Sequence, residues 1–551
     1  MDRSRRAFIK TLGLGVSAAA LPAWVTRCRT AGTLPNIVLI LADDMGYSDV
    51  GCYGGEIRTP NIDRLARGGL RFTDFYNSAR CCPSRASLLT GLYPHQAGVG
   101  GMMNDAGRDG YRGDLNHGCL TIAQALKPAG YASYAVGKWH VTRFWNGEGP
   151  KHNWPLQRGF DRYFGSINGG GNYFSPNGLI RDNEMLERPA GDFYYTDAIT
   201  DHAVRFIQDH QTQQAGRPFF LYCAYTAPHF PLHARTDDID AYKGHFDAGW
   251  DILRRERYRR MKHMGLIRSN WALSPRDSRV PPWEEADYKD WELRRMEVYA
   301  AQVERMDQGI GRIVAELERT HTLDNSLIFF LSDNGGCAER ITESWRDWLI
   351  NGPLKVGQNL PPGAPPVRMF NDPRYMPGGP DTFQSCGIPW ANVSNTPFRL
   401  YKHFGHHGGV LTPFIVHWPA RVEARGEFRH QPGHLIDIMP TCLDAAGVSF
   451  PQEHSGHPLL PLEGRSLLPA FDGHPIQRDA LFFDHEGNRS VLEGRWKLVA
   501  LRNRPWELYD LDADKTELHD LAAVEPDHVE RMARMWEEWA RRARVLPRPG
   551  D

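Results

Sequence analysis

The stretch NSARCCPSRASLLTG, residues 77–91, sets two adjacent cysteines before a proline, a serine and an arginine. Pro83 suits the first turn of a helix, and SRASLLTGLY continues it. Cys81 then lies near the helix N-terminus, where orphan N–H groups and the positive end of the dipole favour a developing anion. Arg85 follows a turn later on a similar face. A cysteine in that position is a candidate thiolate nucleophile. A bridge to Cys82 would be strained. The chain has 9 cysteines, an odd number, and no spacing among them suits a disulfide framework or a zinc site.

A second set of residues is rich in oxygen. Asp43 and Asp44 follow one apolar run, and Asp333 and Asn334 follow another far away in the chain. If the two runs are neighbouring strands, the four side chains converge. Three unpaired carboxylates in one pocket repel and raise one another's pKa. A divalent cation removes that conflict, and an all-oxygen set suits calcium or magnesium rather than zinc. Taken pairwise, helix caps and surface salt bridges explain the same residues equally well.

The elements that must position these groups share one pattern. Ile37 to Leu41, the run ending at Lys138 and His140, Phe219 to Cys223 before His229, and Leu327 to Leu331 are each continuously apolar and end in polar residues. Such runs suit strands buried on both faces of a parallel sheet. The polar clusters then sit at strand C-terminal ends, where open α/β sheets bind ligands. Helical patterns lie between the runs. RTPNIDRLARGG offers Thr59 as N-cap, Pro60 at the first helical position and Gly68-Gly69 as a stop. The expected fold is α/β: a large mixed, mostly parallel sheet sandwiched by helices. TPFIVHWPA reads as a further strand. From Arg340 to Val393 the pattern breaks into Pro-, Gly- and Trp-rich sequence, which suits a functional loop. Residues 476–551 read as a small antiparallel sheet plus a helix, with Val529, Met532, Met535, Trp536 and Trp539 on its apolar side.

Lys plus Arg (65) balances Asp plus Glu (66), so the sequence carries no nucleic-acid footprint. The N-terminus pairs Arg5 and Arg6 ahead of a short apolar stretch, Leu12 to Trp24. It resembles a twin-arginine export signal and is too short for a stable membrane span. Residues 1–33 are therefore set apart from a catalytic region 34–475, and the expected location is periplasmic or secreted. Cys28 raises a lipid anchor, which Arg27 fits poorly.

Cys81-Cys82-Pro83-Ser84-Arg85, with Leu89-Thr90-Gly91, is similar to the C-x-P-S-R-x-x-x-x-T-G signature of the type I sulfatases. The resemblance, closest to the bacterial arylsulfatase branch of the alkaline phosphatase superfamily, covers nearly the whole chain after the leader. It includes Asp43-Asp44 with Gly46 and Asp49, Gly137 to His140, Ala227 to His229, Ser332 to Gly336, and Asn395 to Arg399 leading to Lys402. It implies that Cys81 is oxidised to formylglycine by a formylglycine-generating enzyme, and that Asp43, Asp44, Asp333 and Asn334 bind one calcium ion. The aldehyde hydrates to a diol. One oxygen attacks sulfur and the other hydroxyl loses its proton to expel sulfate. Arg85 favours the ionised diol. Lys138, Lys402 and His229 hold sulfate oxygens, His140 is the base for elimination and His229 a candidate acid.

The implied substrate is a small-molecule or glycan sulfate ester. Formylglycine-dependent phosphodiesterases and phosphonate monoester hydrolases share the motif and are the alternative. Around Lys402 the sequence reads YKHFGHHGGVLTP, with His407 where relatives often have a glutamate before Gly-Gly. His406 and His407 are read as structural. The leaving-group side is expected from the 340–393 insert, GSINGGGNYFSPNGL and YKGHFDAGWDILRRERYRRMKHMG.

Overall fold

The strands that carry the polar clusters are β1 (Asn36–Ala42), β2 (Leu70–Tyr76), β3 (Ala132–Lys138), β4 (Arg162–Ser166), β5 (Phe219–Ala224), β6 (Ser326–Ser332) and β7 (Leu411–His417). In this computed structural model the described residues are 34–551 apart from Glu148, Ala190 and 359–362. The export-type leader and Cys28 lie outside them. The seven strands are the centre of an eleven-stranded sheet in the order β2-β7-β6-β1-β5-β3-β4. β6, β1, β5, β3 and β4 run parallel, whereas β7 runs antiparallel to both β6 and β2.

Every residue of β1, β3, β5 and β6 is buried, which is why these segments read as unbroken apolar runs. Alternate residues serve opposite faces. Val38 and Ile40 join one core layer and Ile37, Leu39 and Leu41 the other. The principal helices are α1 (Pro60–Arg67), α2 (Cys81–Thr90), α3 (Tyr195–Gln213), α4 (Gly249–His263), α5 (Lys289–Arg319), α6 (Ile438–Ala446) and α7 (Pro526–Arg542). α3 and α5 share the first layer through Ile199, Phe206, Val303 and Ile310. α2 and α6 share the second through Leu88, Leu89, Ile438 and Met439. Thr59 is the N-cap residue of α1 and Gly68 ends it, but the Thr59 hydroxyl bonds Gly51 N–H (2.8 Å) and Asp63 (3.2 Å) instead of the helix's first amides.

Strands β8 (Leu481–His485), β9 (Asn488–Glu493), β10 (Trp496–Ala500) and β11 (Glu507–Asp510) form an antiparallel meander. α7 covers it with Met532, Trp536 and Trp539. Trp539 stacks on Phe482 with ring centroids 5.1 Å apart. Met535 of the same stripe is only half-buried. The turn between β8 and β9 points back toward the catalytic side: Asn488 Nδ2 donates to His403 O at 3.1 Å.

Candidate active site

β1 and β6 pair in register, Ala42 opposite Ser332, so the residues that follow each strand emerge side by side. Asp44 then turns into the left-handed region at φ 63°. Its backbone N–H donates to Asp333 Oδ1 at 3.2 Å, and its Oδ1 accepts from Asn334 Nδ2 at 2.7 Å. A Cβ on Gly335 would stand 1.9 Å from Gly408 O, so only glycine lets the β6 end lie against the loop that leads into β7. The four predicted oxygen-bearing residues are thus brought together, all essentially inaccessible to solvent.

Cations surround them. Lys138, the last residue of β3, donates from Nζ to Asp43 Oδ2 at 2.6 Å. Arg85 binds Asp333 Oδ2 through Nε (3.1 Å) and Nη2 (2.8 Å), and donates to Lys138 O. Lys402 Nζ donates to Asp44 Oδ2 at 2.8 Å and to Glu339 Oε2 at 3.2 Å. His229 Nε2 lies 3.4 Å from Asp44 Oδ2. Burial pushes Asp333 up to about 8, with the Asp43 carboxylate adding to it and Arg85 opposing. Burial also raises Asp43, against Lys138 and Arg85. Burial acts upward on Asp44 too, but Lys402 and His229 outweigh it and hold Asp44 below its usual range.

The donor set fits a divalent cation. Asp43 Oδ1 and Asn334 Oδ1 are buried with no hydrogen-bond partner, a costly arrangement for oxygens away from water. Both belong to the predicted ligand set. Asp49, which the resemblance groups with them, is turned away: its carboxylate takes Arg257 Nη1 (2.7 Å), Tyr299 Oη (2.7 Å) and Gly46 N–H (2.8 Å).

Cys81 is the first residue of α2 and is buried beside Cys82 and His140. A hydrogen bond from Cys82 holds its thiol well below the ordinary range, against burial and with help from Lys138 and His140. Burial drives the Cys82 thiol the other way. Cys82 Sγ rests 3.3 and 3.4 Å from the two ring nitrogens of His140. Burial and then Lys138 bring His140 down to about 3, so its ring is neutral, with Cys81 the group that acts in the other direction and favours a proton on it. Burial brings His229 to about 4, with Asp44 opposing and the two lysines assisting. Its Nδ1–H donates to Phe230 O at 2.6 Å, which leaves Nε2 as the free lone pair. His229 acts as an acid only after taking a second proton, which Asp44 favours and burial opposes.

All six predicted catalytic residues, Cys81, Arg85, Lys138, His140, His229 and Lys402, gather around the oxygen set. A cleft of about 560 Å³ opens above Cys81, His140, His229 and Lys402. One wall is apolar: Met102, Met103, Trp145, Phe230, Trp345, Trp348 and Leu354. The 340–393 insert supplies Trp345, Trp348 and Leu354, and Gly169 comes from GSINGGGNYFSPNGL. The segment YKGHFDAGWDILRRERYRRMKHMG lines none of it. Its helix α4 is turned inward, with Arg257 paired to Asp49 and Glu56 at 2.7 Å each and Arg254 bonded to Asn392 O. His406 bonds Glu507 (3.2 Å) and His407 bonds Lys515 O (2.8 Å) and Tyr76 Oη (3.2 Å), so both are structural.

Arg80 and Glu339, which line the cleft, and His403, which touches both, went unassigned in the sequence. Glu339 Oε1 takes Arg80 Nη1 at 2.9 Å and lies 3.1 Å from His403 Nε2. His403 Nδ1 lies 3.1 Å from Glu486 Oε2 on the β8–β9 turn, and Arg80 presses on the same ring. Arg80 precedes Cys81 and Glu339 follows the β6 end by seven residues, so closeness to the two chemical motifs was the available signal.

A mostly parallel sheet sandwiched by helices, with acids, lysines and histidines converging past its strand ends on a helix-tip residue, defines a hydrolase of the alkaline phosphatase superfamily. The sulfatase family model matches residues 35–448, and the N-sulphoglucosamine sulphohydrolase C-terminal model matches residues 398–544. An uncharacterized sulfatase of Schizosaccharomyces pombe is 32% identical over 94% of this chain and 95% of its own length. The arylsulfatase of Klebsiella aerogenes is 32% identical over 79% of this chain and 91% of its own. The crystal structure of Ps i-CgsB in complex with k-i-k-neocarrahexaose superposes with a TM-score of 0.64 at 25% identity, covering 94% of this chain and 98% of that one. The chain belongs to the sulfatase family and is a sulfuric ester hydrolase.

Proposed function

We propose that the chain hydrolyses sulfate monoesters through Cys81 after its conversion to formylglycine, with calcium held by Asp43, Asp44, Asp333 and Asn334. The observation that carries this reading is the convergence of a helix-tip cysteine, two buried lysines and an oxygen set with two unpartnered buried oxygens. The ion, when bound, supplies positive charge to an anionic oxygen beside Cys81. The hydrated aldehyde supplies two hydroxyls, one to attack sulfur and one whose deprotonation expels sulfate.

The side chains do the rest. Lys138 and Lys402 present ammonium groups toward the sulfate oxygens and offset charge that grows as the ester bond breaks. Arg85 stays charged because Asp333 and Asp43 outweigh its burial, and it fixes Asp333 and the β3 end in place. Neutral His140 takes the proton of the second hydroxyl. His229, once protonated beside Asp44, delivers a proton to the leaving oxygen.

The apolar wall supports an aryl or sugar leaving group, since both present a flat or C–H face to tryptophan. The Klebsiella relative is an arylsulfatase and Ps i-CgsB binds an oligosaccharide; both are compatible with this cleft. Residues 1–33 act in this reading as a twin-arginine signal. A formylglycine-generating enzyme modifies Cys81 before export, because that route carries folded chains.

The test is turnover of an aryl sulfate against an aryl phosphodiester by purified protein, with mass analysis of the Cys81 peptide. Sulfate turnover with an aldehyde at Cys81 is expected. Active protein with an intact thiol there would sink the mechanism. Faster phosphodiester turnover would reassign the substrate.

A further inference from the structure

Resting on that reading of the site, we propose that Glu339 sets the charge selectivity of the cleft, favouring a monoanionic tetrahedral ester over a dianionic one. Glu339 lines the same cleft as Cys81 and Lys402. Its Oε2 lies 3.2 Å from Lys402 Nζ and its Oε1 2.9 Å from Arg80 Nη1. Its side chain keeps only 13% of its exposure.

The two lysines of the site are each matched by carboxylates. Lys138 has Asp43, which belongs to the oxygen set. Lys402 has Asp44, of the same set, and also Glu339, which does not belong to it. Among the described residues that line the cleft, Glu339 is therefore the carboxylate outside the oxygen set, and it stays beside Lys402 as an anion shared with Arg80 and His403 when a divalent cation takes up the others. Arg80, Lys402 and His403 outweigh its burial and keep it ionised.

An ester oxygen held by Lys402 comes within one further contact of that carboxylate. A sulfate monoester brings one negative charge and a phosphate monoester above its second ionisation brings two. At a separation of roughly 6 Å, the extra charge costs about threefold in a water-like dielectric and about a hundredfold in a protein-like one. The carboxylate thus penalises the dianion while Lys402 keeps its position.

The experiment compares full-length, metal-loaded wild type with Glu339→Gln and Glu339→Asp. Benzenesulfonate, an inert monoanion, and phenylphosphonate above its second ionisation, an inert dianion of the same shape, are titrated by calorimetry. Rates on an aryl sulfate and the matching aryl phosphate monoester are measured alongside. Glu339→Gln is expected to shift both the affinity ratio and the rate ratio toward the dianion by about tenfold, and Glu339→Asp to keep the wild-type ratios. Equal weakening of both probes in Glu339→Gln would show that Glu339 only holds Lys402 in place and would overturn the inference. So would unchanged ratios. Wild type that turns over no sulfate ester would defeat the proposed function, and the ratio of the two inert probes would still decide the role of Glu339.

Discussion

Binding of a divalent cation at the strand ends must displace a proton. Asp333 is pushed up to about 8 by burial beside Asp43, so in metal-free protein it is mostly protonated at neutral pH. From that value, the fraction protonated is larger at pH 7 than at pH 8 and smaller again at pH 9. A cation requires the carboxylate, and these fractions are the protons released by this group per ion bound. The assay is calcium titration in buffers of different ionisation enthalpy, which separates proton release from binding heat. Release near one proton at pH 7, falling toward zero at pH 9, is expected. Asp333→Asn should abolish most of the release and weaken affinity. Calcium binding at pH 7 with no proton release would refute the reasoning. The same shift links pH to stability. A carboxyl whose folded pKa is raised holds a proton that the unfolded chain has lost, so metal-free stability falls as pH rises from about 4 to about 8. The slope is at most about 1.4 kcal/mol per pH unit. Calcium should flatten that slope.

Cys81→Ala should abolish turnover while leaving the melting profile and the calcium isotherm close to wild type; measurable turnover by clean variant protein contradicts the nucleophile assignment. Trp345→Ala removes a ring packed against Phe230, with centroids 6.1 Å apart. Steady-state kinetics on an aryl sulfate should show KM raised about three- to tenfold and kcat changed less. Glu517→Ala strips the partner of buried Lys497, 2.6 Å away, and should cost about 3–5 kcal/mol in denaturant unfolding. A Lys497→Met, Glu517→Leu double variant should recover the part of that loss due to the unpaired lysine, but not the part due to the His407 N–H, which still lacks its acceptor.

How far the fold was legible depends on burial. β1, β3, β5 and β6 are covered on both faces and stand out as unbroken apolar runs, and their polar ends were legible with them. β2 (LRFTDFY) carries an arginine and an aspartate within a strand of the same sheet, and no such run marks it. The antiparallel insertion of β7 between β2 and β6 is a matter of order and direction, which periodicity does not encode. The cleft wall was harder still. Glu339, Arg80 and His403 meet across 259 and 323 residues of chain and belong to loops with no repeating pattern. The arginines of α4 misled in the opposite direction. A basic helix looks like a ligand-facing surface until Asp49 and Glu56 are seen to neutralise Arg257 inside the protein.

His407 joins the C-terminal meander to the catalytic centre. It stands where the resemblance expects a glutamate, yet a carboxylate is present at that place in the fold. Glu517 Oε2 accepts the His407 backbone N–H at 2.9 Å, and Glu517 Oε1 lies 2.6 Å from Lys497 Nζ of β10 as an ion pair. The His407 ring, kept neutral by burial, donates to Lys515 O and accepts from Tyr76 Oη. Gly408 follows directly, and its carbonyl is the atom that a Cβ on Gly335 would strike. Glu517, His407, Gly408 and the Asp333–Asn334 strand end therefore form one continuous stack. A side chain about two hundred residues downstream of the oxygen set sets the floor beneath it, so truncation of the C-terminal meander should damage metal binding before it damages the parallel sheet. Calcium affinity of the Glu517→Ala variant, measured where it remains folded, reads that coupling directly: unchanged affinity would show that the stack holds the backbone without setting the site.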